Sequence, residues 1–348
     1  MPPTSPEIID EYRDWLIFRD CSPNTVAGYI STVHEFFELT KAEPLKITRQ
    51  DLYLWDGHVA ARNLTDNTRA RARAAMRGFL KWIAANYRTE DLSTELKTIR
   101  QQVPDPVVLH PDELTEILHA QDETKPLEAR DAAMLILLAG TGIRLSECAS
   151  LNMGSVARRT VGVGDKKRSV WILRVASAKR GRISTRSIIF GDPTNPTDVV
   201  TRHFGLWYLT RLQSAGTYNA AADLPLFSDG ADPRKRLTKR SIYVRVKRCM
   251  VRAGRPDLAK HIHPHSLRHY YATWRKAQGG DIHVLQKDLG HASIMTTERY
   301  VHLAEKATGE QAIRFNPLKD VIAKPLRADV PQDQFRQIVS LLIPESTE

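Results

Sequence analysis

The sequence predicts a mainly α chain with a small antiparallel β-sheet, divided into two domains. Three observations carry this. Apolar residues recur at helical spacing through most of the chain, and the period changes to two between about Val156 and Gly191. A stretch without periodicity, Leu96 to Pro111, carries Pro104, Pro106 and Pro111 and reads as a linker. At 348 residues, both halves are large enough to bury a core. The expected boundaries are 1–100 for a first helical domain, 101–111 for the linker, 112–315 for a mixed second domain and 316–348 for a tail.

Composition narrows the function classes. A net charge of +11 and a pI near 9.6 imply a polyanionic partner. Three cysteines (Cys21, Cys148, Cys249) without a C-x-x-C pair fit a reducing cytoplasm and exclude a disulfide framework. The N-terminus MPPTSPEIIDEY has neither the basic nor the apolar region of a signal peptide. The longest apolar run, AAMLILLAG from Ala132, is too short to span a bilayer. A soluble, cytoplasmic protein with no membrane partner is the expectation.

The first domain reads as four helices. Thr4 or Ser5 caps the first, Pro6 lies in its first turn, and Ile8, Tyr12, Trp15 and Leu16 make its stripe. Ser22-Pro23 opens the second, with Val26, Tyr29, Ile30, Val33 and Phe37 at helical spacing. Thr48 and Asp51 start a short third. The fourth runs from about Thr65 to Tyr87, with Met76, Phe79, Leu80 and Ile83 facing inward. On its other side Arg69, Arg73, Arg77 and Lys81 repeat every four residues. The row is of one sign and has no interleaved acids, which favours contact with a phosphate backbone over a merely solvated face.

Beyond the linker, Pro111 or Asp112 starts a helix, and a buried helix EARDAAMLILLAG follows. Two glycines stop it in GTGIRLSECASLN, with Arg144 in the turn and Glu147 one helical turn on. SVWILRVAS and TRSIIF then alternate as strands, joined by a turn AKRGRIS; cations crowd here, with Lys179, Arg180 and Arg182 in the turn and Arg186 just beyond it. Helical pattern returns from about Thr197 to Ser214 and Thr238 to Ala253. Between them the loop SDGADPRKRLTKR, with Lys235 and Arg236, carries five cations.

The segment from His261 to His302 organises the rest. Pro264 opens a helix that Gly279-Gly280 ends, placing His265 and Arg268 three apart on one face. Asp281 caps a second helix that stops at Gly290, and His291 follows at once. Ser293 caps a third, with Tyr300 near its end. His261, His263, His265, His269 and His291 are also available metal ligands, but no cysteine or acid completes a usual zinc set.

The order H-x-L-R-H, then L-G-H, then a tyrosine nine residues on, resembles the active-site half of the tyrosine recombinases, the phage integrase family, with Xer-like site-specific recombinases as the kind implied. GTGIRLSE is similar to the family's G-x-R-x-x-E motif, in which Arg144 binds phosphate and Glu147 buttresses the site. Lys179 matches the family's glycine–lysine position, although Ala178 replaces the glycine and the stretch to Arg186 is about two residues longer than the usual pattern. The resemblance covers about residues 110 to 305 and implies a two-domain tyrosine recombinase fold: an N-terminal helical core-binding domain and a mixed α/β catalytic domain.

The chemistry implied is metal-independent transfer of a DNA strand. Tyr300 is the one residue of the closing motif that can attack and form a stable phosphoester. Arg144 and Arg268 suit the non-bridging oxygens, His291 can donate to the same phosphate, and His265 can accept the phenol proton. Lys179 suits protonation of the departing 5′ oxygen, whereas the neighbouring Arg180 cannot give up a proton. Expected DNA contacts are Arg69, Arg73, Arg77, Lys81, Arg180, Arg182, Lys235 and Arg236. By resemblance the partners are double-stranded DNA with a specific site and further copies of the chain in a tetramer; no cofactor or metal is implied. A type IB topoisomerase-like relaxase and a catalytically idle DNA-binding protein of the same fold are the alternatives. In the tail, Phe335, Ile338, Val339 and Leu342 make one apolar stripe, which either folds back in cis or docks on a neighbouring protomer.

Overall fold

The computed structural model describes residues 3–99, 106–161, 168–179, 182–195, 197–215, 218–230 and 232–290, with backbone alone at 177–179, 182, 183 and 218. The chain divides into two compact units, the first of Met1–Pro104 with Ala178–Arg182 and the second of Asp105–Ser177 with Ile183–Glu348.

In the first unit, α1 (Ser5–Phe18), α2 (Pro23–Thr40), α3 (Arg49–Ala61) and α4 (Asp66–Tyr87) form a helical cluster. Each starts at a hydroxyl residue: Thr4, Ser22, Thr48 and Thr65 hold the four N-cap positions. Ile8, Tyr12, Val33, Phe36, Trp55, Met76 and Phe79 bury their side chains together. Tyr12 stands edge-on to Phe79, and Phe37 does the same.

The basic row of α4 is not without acid partners, contrary to its sequence pattern. Arg73 is forked on Asp56 of α3, with two bonds of 2.6 Å, and also donates to the Lys97 carbonyl. Arg69 pairs with Asp66, and Arg77 donates to the Thr98 hydroxyl. Asp66 stands on α4 itself, just ahead of the row, whereas Asp56 arrives from another helix, to which a helical period is blind. Lys81 remains exposed.

The second unit is laid out around α6 (Pro126–Thr141), whose residues Arg130 to Thr141 are all buried. Gly140 lies inside this helix, and Gly142 alone ends it, in the left-handed conformation (φ 61°). Its two buried charges are paired: Asp131 accepts from Arg130 and Arg252, so the ions are compensated where water is excluded. Around α6 stand α5 (Pro111–His119), α7 (Leu145–Ser150), α8 (Leu206–Ala215) with the preceding π-helical turn Thr201–Gly205, the short α9 (Tyr218–Ala221), α10 (Lys239–Arg252), α11 (Pro256–His261), α12 (Pro264–Ala277) and α13 (Ile282–Leu289).

β1 (Val156–Val161), β2 (Arg168–Lys179) and β3 (Arg182–Ile189) form a sheet in that order. β1 and β2 pair antiparallel, with Val156 opposite Leu173 and Val161 opposite Arg168. Trp171 of β2 is fully buried against Phe204 and Tyr208, fastening the sheet to α8 and its π-turn. The expected turn AKRGRIS is mostly strand: β2 continues to Lys179 and β3 begins at Arg182, because ladder pairing overrides the polar composition. The cationic loop after Phe227 is likewise a hairpin, β4 (Ser228–Asp229) with β5 (Asp232–Arg236). Asp229 lies opposite Asp232, so Gly230 leads a two-residue connection, a hairpin signal that the surrounding charge obscured. Among the described residues no helix is long and apolar enough to cross a membrane.

Candidate active site

The site is built where three backbone ends meet: the stop of α6, the start of α7 and the stop of α13. Arg144 is the N-cap of α7, and Glu147 sits three residues on, so the carboxylate accepts the Arg144 amide (2.7 Å) as well as its Nη1 (3.0 Å). This is a capping box with a guanidinium added, and it fixes Glu147 at the positive end of α7. Arg186 reaches Glu147 from β3 and donates through both terminal nitrogens, at 3.0 and 2.8 Å.

At the stop of α13, three arginines take three successive carbonyls. Arg186 Nε donates to Asp288 O (2.8 Å), Arg268 Nη2 to Leu289 O (2.7 Å) and Arg144 Nη2 to Gly290 O (2.9 Å). A helix leaves its last carbonyls without internal partners and carries partial negative charge there, so cations are favoured twice over. Arg268 also donates through Nη1 to Gly142 O (2.6 Å), joining the ends of α6 and α13. Gly142 has to be glycine for two reasons: its φ is positive, and a Cβ there would lie 2.5 Å from Tyr271 Cδ1.

Beneath this cluster, Tyr271 donates to Asp288 Oδ2 (2.9 Å) and accepts from Arg275 (2.8 Å), and Arg275 pairs with Asp288 (3.1 Å). Burial pushes the Tyr271 phenol far above its usual pKa. Tyr270 is equally buried, so neither can serve as an accessible nucleophile. Glu147 is only 5 % exposed, and that burial pushes its pKa upward. The Arg186 hydrogen bonds, the Arg144 amide and the two guanidinium charges outweigh burial together, holding the carboxyl below its ordinary value.

The Phage integrase family matches residues 107–307, and the Phage integrase N-terminal SAM-like domain matches residues 9–86. The chain belongs to the phage integrase family. The tyrosine recombinase XerD of Ralstonia nicotianae is 30 % identical over 312 residues, covering 88 % of this chain and 92 % of that one. XerD of Haemophilus ducreyi is 28 % identical, covering 89 % of this chain and 97 % of that one. Among solved structures, a lambda integrase dimer bound to a COC′ core site has the same fold (TM-score 0.62, 15 % identity, 88 % of this chain and 79 % of that one). So does a XerH site-specific recombinase in a post-cleavage complex with palindromic difH (TM-score 0.58, 19 % identity, 83 % of this chain and 79 % of that one).

Of the residues the family motifs single out, the structure brings Arg144, Glu147 and Arg268 together. His265 lies in the first turn of α12 and is exposed, its ring edge-on to His269 at 4.5 Å, while Arg268 three residues on turns inward. Among the described residues no group of three His, Cys, Asp or Glu is placed to hold a metal ion. Lys179 closes β2 and Arg182 opens β3, with side chains outside the described residues. Arg180, His291, Tyr300 and the tail from 316 lie outside them altogether.

Lys235 pairs across its hairpin with Asp229 (3.6 Å). Arg236 donates to the Ala149 and Leu151 carbonyls and to Asn152, capping the end of α7. Arg186 is the residue whose part sequence reasoning missed. It is one of four cations crowded around an expected turn, and nothing local distinguishes it, because its partners lie 39 and 102 positions away.

The Glu147 cluster gives a signed pH prediction. A carboxyl whose folded pKa lies below its unfolded value, about 4.3, contributes stability that is full above the unfolded value and is lost as pH falls through the folded one. Urea unfolding of the full chain should therefore show an acid limb to which Glu147 contributes. Glu147→Gln should be less stable near neutrality by about 3–5 kcal/mol, since it breaks a buried pair, and its acid limb should be shallower. Parallel stability–pH curves for the two proteins would remove Glu147 from that role.

Proposed function

We propose that the protein is a site-specific DNA recombinase that cleaves and rejoins strands through a covalent 3′-phosphotyrosyl intermediate at Tyr300. The observation that carries this is the convergence of Arg144 and Arg268 on the end of α13, one residue before His291. Arg144 is the open member of the set, with its side chain 39 % exposed, and so can meet an incoming phosphate. Arg268 is buried and donates through both terminal nitrogens to carbonyls, fixing the ends of α6 and α13 around the site.

In this reading the Tyr300 oxygen attacks the scissile phosphorus, His265 takes its proton, and Arg144, Arg268 and His291 neutralise the non-bridging oxygens. Lys179 gives a proton to the departing 5′ oxygen. The free 5′-OH of a partner strand then attacks the phosphotyrosine and restores the phenol. Phosphoester bonds are exchanged one for one, so no nucleotide or metal is consumed or required. The substrate is double-stranded DNA with a specific site, met in the cytoplasm. Arg69, Arg77, Lys81 and Lys235, with Arg180 and Arg182, are the candidates for backbone contact, whereas Arg73 and Arg236 serve chiefly to join elements of their own unit.

The family match and the named recombinase relatives favour exchange over relaxation or idleness. Tyr300→Phe tests the reading on a nicked duplex selected from a random pool by binding. Wild type should form a covalent adduct in excess chelator and exchange strands between two marked duplexes. Tyr300→Phe should form none yet bind DNA within about 10-fold, because a single hydroxyl, worth roughly 0.5–1.5 kcal/mol at most as a hydrogen bond, is lost. An adduct that persists in Tyr300→Phe, or wild-type relaxation without exchange, would contradict it.

Assembly is the second part of the proposal. The tail's stripe of Phe335, Ile338, Val339 and Leu342 lies between Pro331 and Pro344, short and set off from the catalytic fold. Docked head-to-tail on the next protomer, it would close four copies into a ring on DNA. Deleting residues 329–348 should spare binding of one protomer to a half-site and weaken cooperative filling of a full site. Unchanged cooperativity in a gel-shift titration would mean that the tail packs in cis or does nothing for assembly.

A further inference from the structure

Arg186 takes no part in the chemistry proposed above, yet it is deeply engaged in the site. Its side chain is 9 % exposed. All three of its nitrogens donate: Nη1 and Nη2 to the two Glu147 oxygens, and Nε to the Asp288 carbonyl. One planar group thus joins the start of α7 to the end of α13, and does so from β3. Gly290 supplies an independent sign of how closely this is built. A Cβ there would meet Arg186 Nη1 at 3.1 Å, its Cζ at 3.3 Å and Arg144 Nη1 at 3.5 Å, so the turn before His291 rests directly on the two guanidiniums.

We propose that Arg186 is a positioning residue for strand cleavage, setting Arg144 and the turn that leads to His291 while itself staying off the DNA. The proposal rests on the recombinase reading above and adds a residue to it. The route is through Glu147. That carboxylate is shared by Arg144 and Arg186, so its place, and hence the angle at which Arg144 is presented, depends on both. Without Arg186, Glu147 would fall to Arg144 alone, drawing the guanidinium inward, and the Asp288 carbonyl would lose its donor. Lysine cannot substitute, because one tetrahedral ammonium cannot serve two carboxylate oxygens and a carbonyl in a plane.

Arg186 also shares a hairpin with Lys179, which offers a rival role: holding the strand that carries the leaving-group acid. The two roles separate by substrate. A duplex with sulfur in place of the bridging 5′ oxygen has a leaving group that departs without a proton, so it rescues only defects of the acid. The experiment compares wild type, Arg186→Gln, Arg186→Lys, Glu147→Gln and the double variant Arg186→Gln/Glu147→Gln in single-turnover cleavage, alongside half-site binding.

For Arg186→Gln the expected result is half-site affinity within about 3-fold of wild type and cleavage slower by on the order of 100-fold. The sulfur substrate should leave that ratio unchanged. Arg186→Lys, which keeps a cation beside Glu147 and carries the test if the glutamine variant does not fold, should still lose roughly 10-fold. The double variant should cleave no more slowly than the slower single one, since the two residues act as a unit. Cleavage at the wild-type rate in Arg186→Lys, recovery by sulfur, or a multiplicative double loss would each overturn the assignment. Wild type on the same substrate is the control for the underlying reading: if it forms no adduct, the recombinase reading fails, and the assignment of Arg186 falls with it rather than by itself.

Discussion

Three arginines on three consecutive carbonyls at the end of α13 are the constraint on which the second unit's site depends. Each carbonyl belongs to the last turn of a short helix, where it lacks an internal partner, and each arginine comes from a different element: β3, the start of α7, and α12. The helix end is thereby fixed in position by groups that cannot be deprotonated, a durable arrangement for a site that must receive a polyanion. Local positive charge of this density would repel itself if unanswered. Glu147, the α13 terminus and the Asp288 carboxylate below answer it in part, leaving Arg144 as the open cation.

The packing under the site serves the same end. Gly142 lets the ring of Tyr271 lie against the stop of α6, and Tyr271 in turn holds Asp288 through its hydroxyl. Leu285 and Leu289 of α13 close a small apolar cluster with Tyr271 and Ala272 of α12. The two helices that carry His265, Arg268 and the approach to His291 are thus one packed piece rather than two loops that happen to meet. Precision of this kind matters because a displacement of about 1 Å can cost on the order of 100-fold in rate.

Much of this was legible in the sequence because its signals are local. Thr4, Ser22, Thr48, Thr65 and Asp281 announce helix starts, and Gly142 and Gly290 announce stops, each by a chemistry that needs only its own few neighbours. Arg144 and Glu147, three apart, could be read as a unit for the same reason. What escaped was long-range. Asp56 quenches Arg73 from another helix, Arg236 caps α7 across 85 positions, and Arg186 looks like any hairpin cation until the fold brings it to Glu147. Strand extent was misjudged where cations crowded the β2–β3 connection, since pairing there is decided by the neighbouring strand and not by composition.

The central claim, that this arginine framework serves attack by Tyr300 on a DNA phosphate, is tested most directly by mapping the covalent bond itself. Wild-type protein trapped on a nicked duplex would be digested with protease and nuclease, and the residual nucleotide located by mass spectrometry. The account predicts a nucleotide joined through its 3′ phosphate to Tyr300, with a free 5′-OH on the departed strand. A nucleotide on any other side chain, or one joined through a 5′ phosphate, would contradict it.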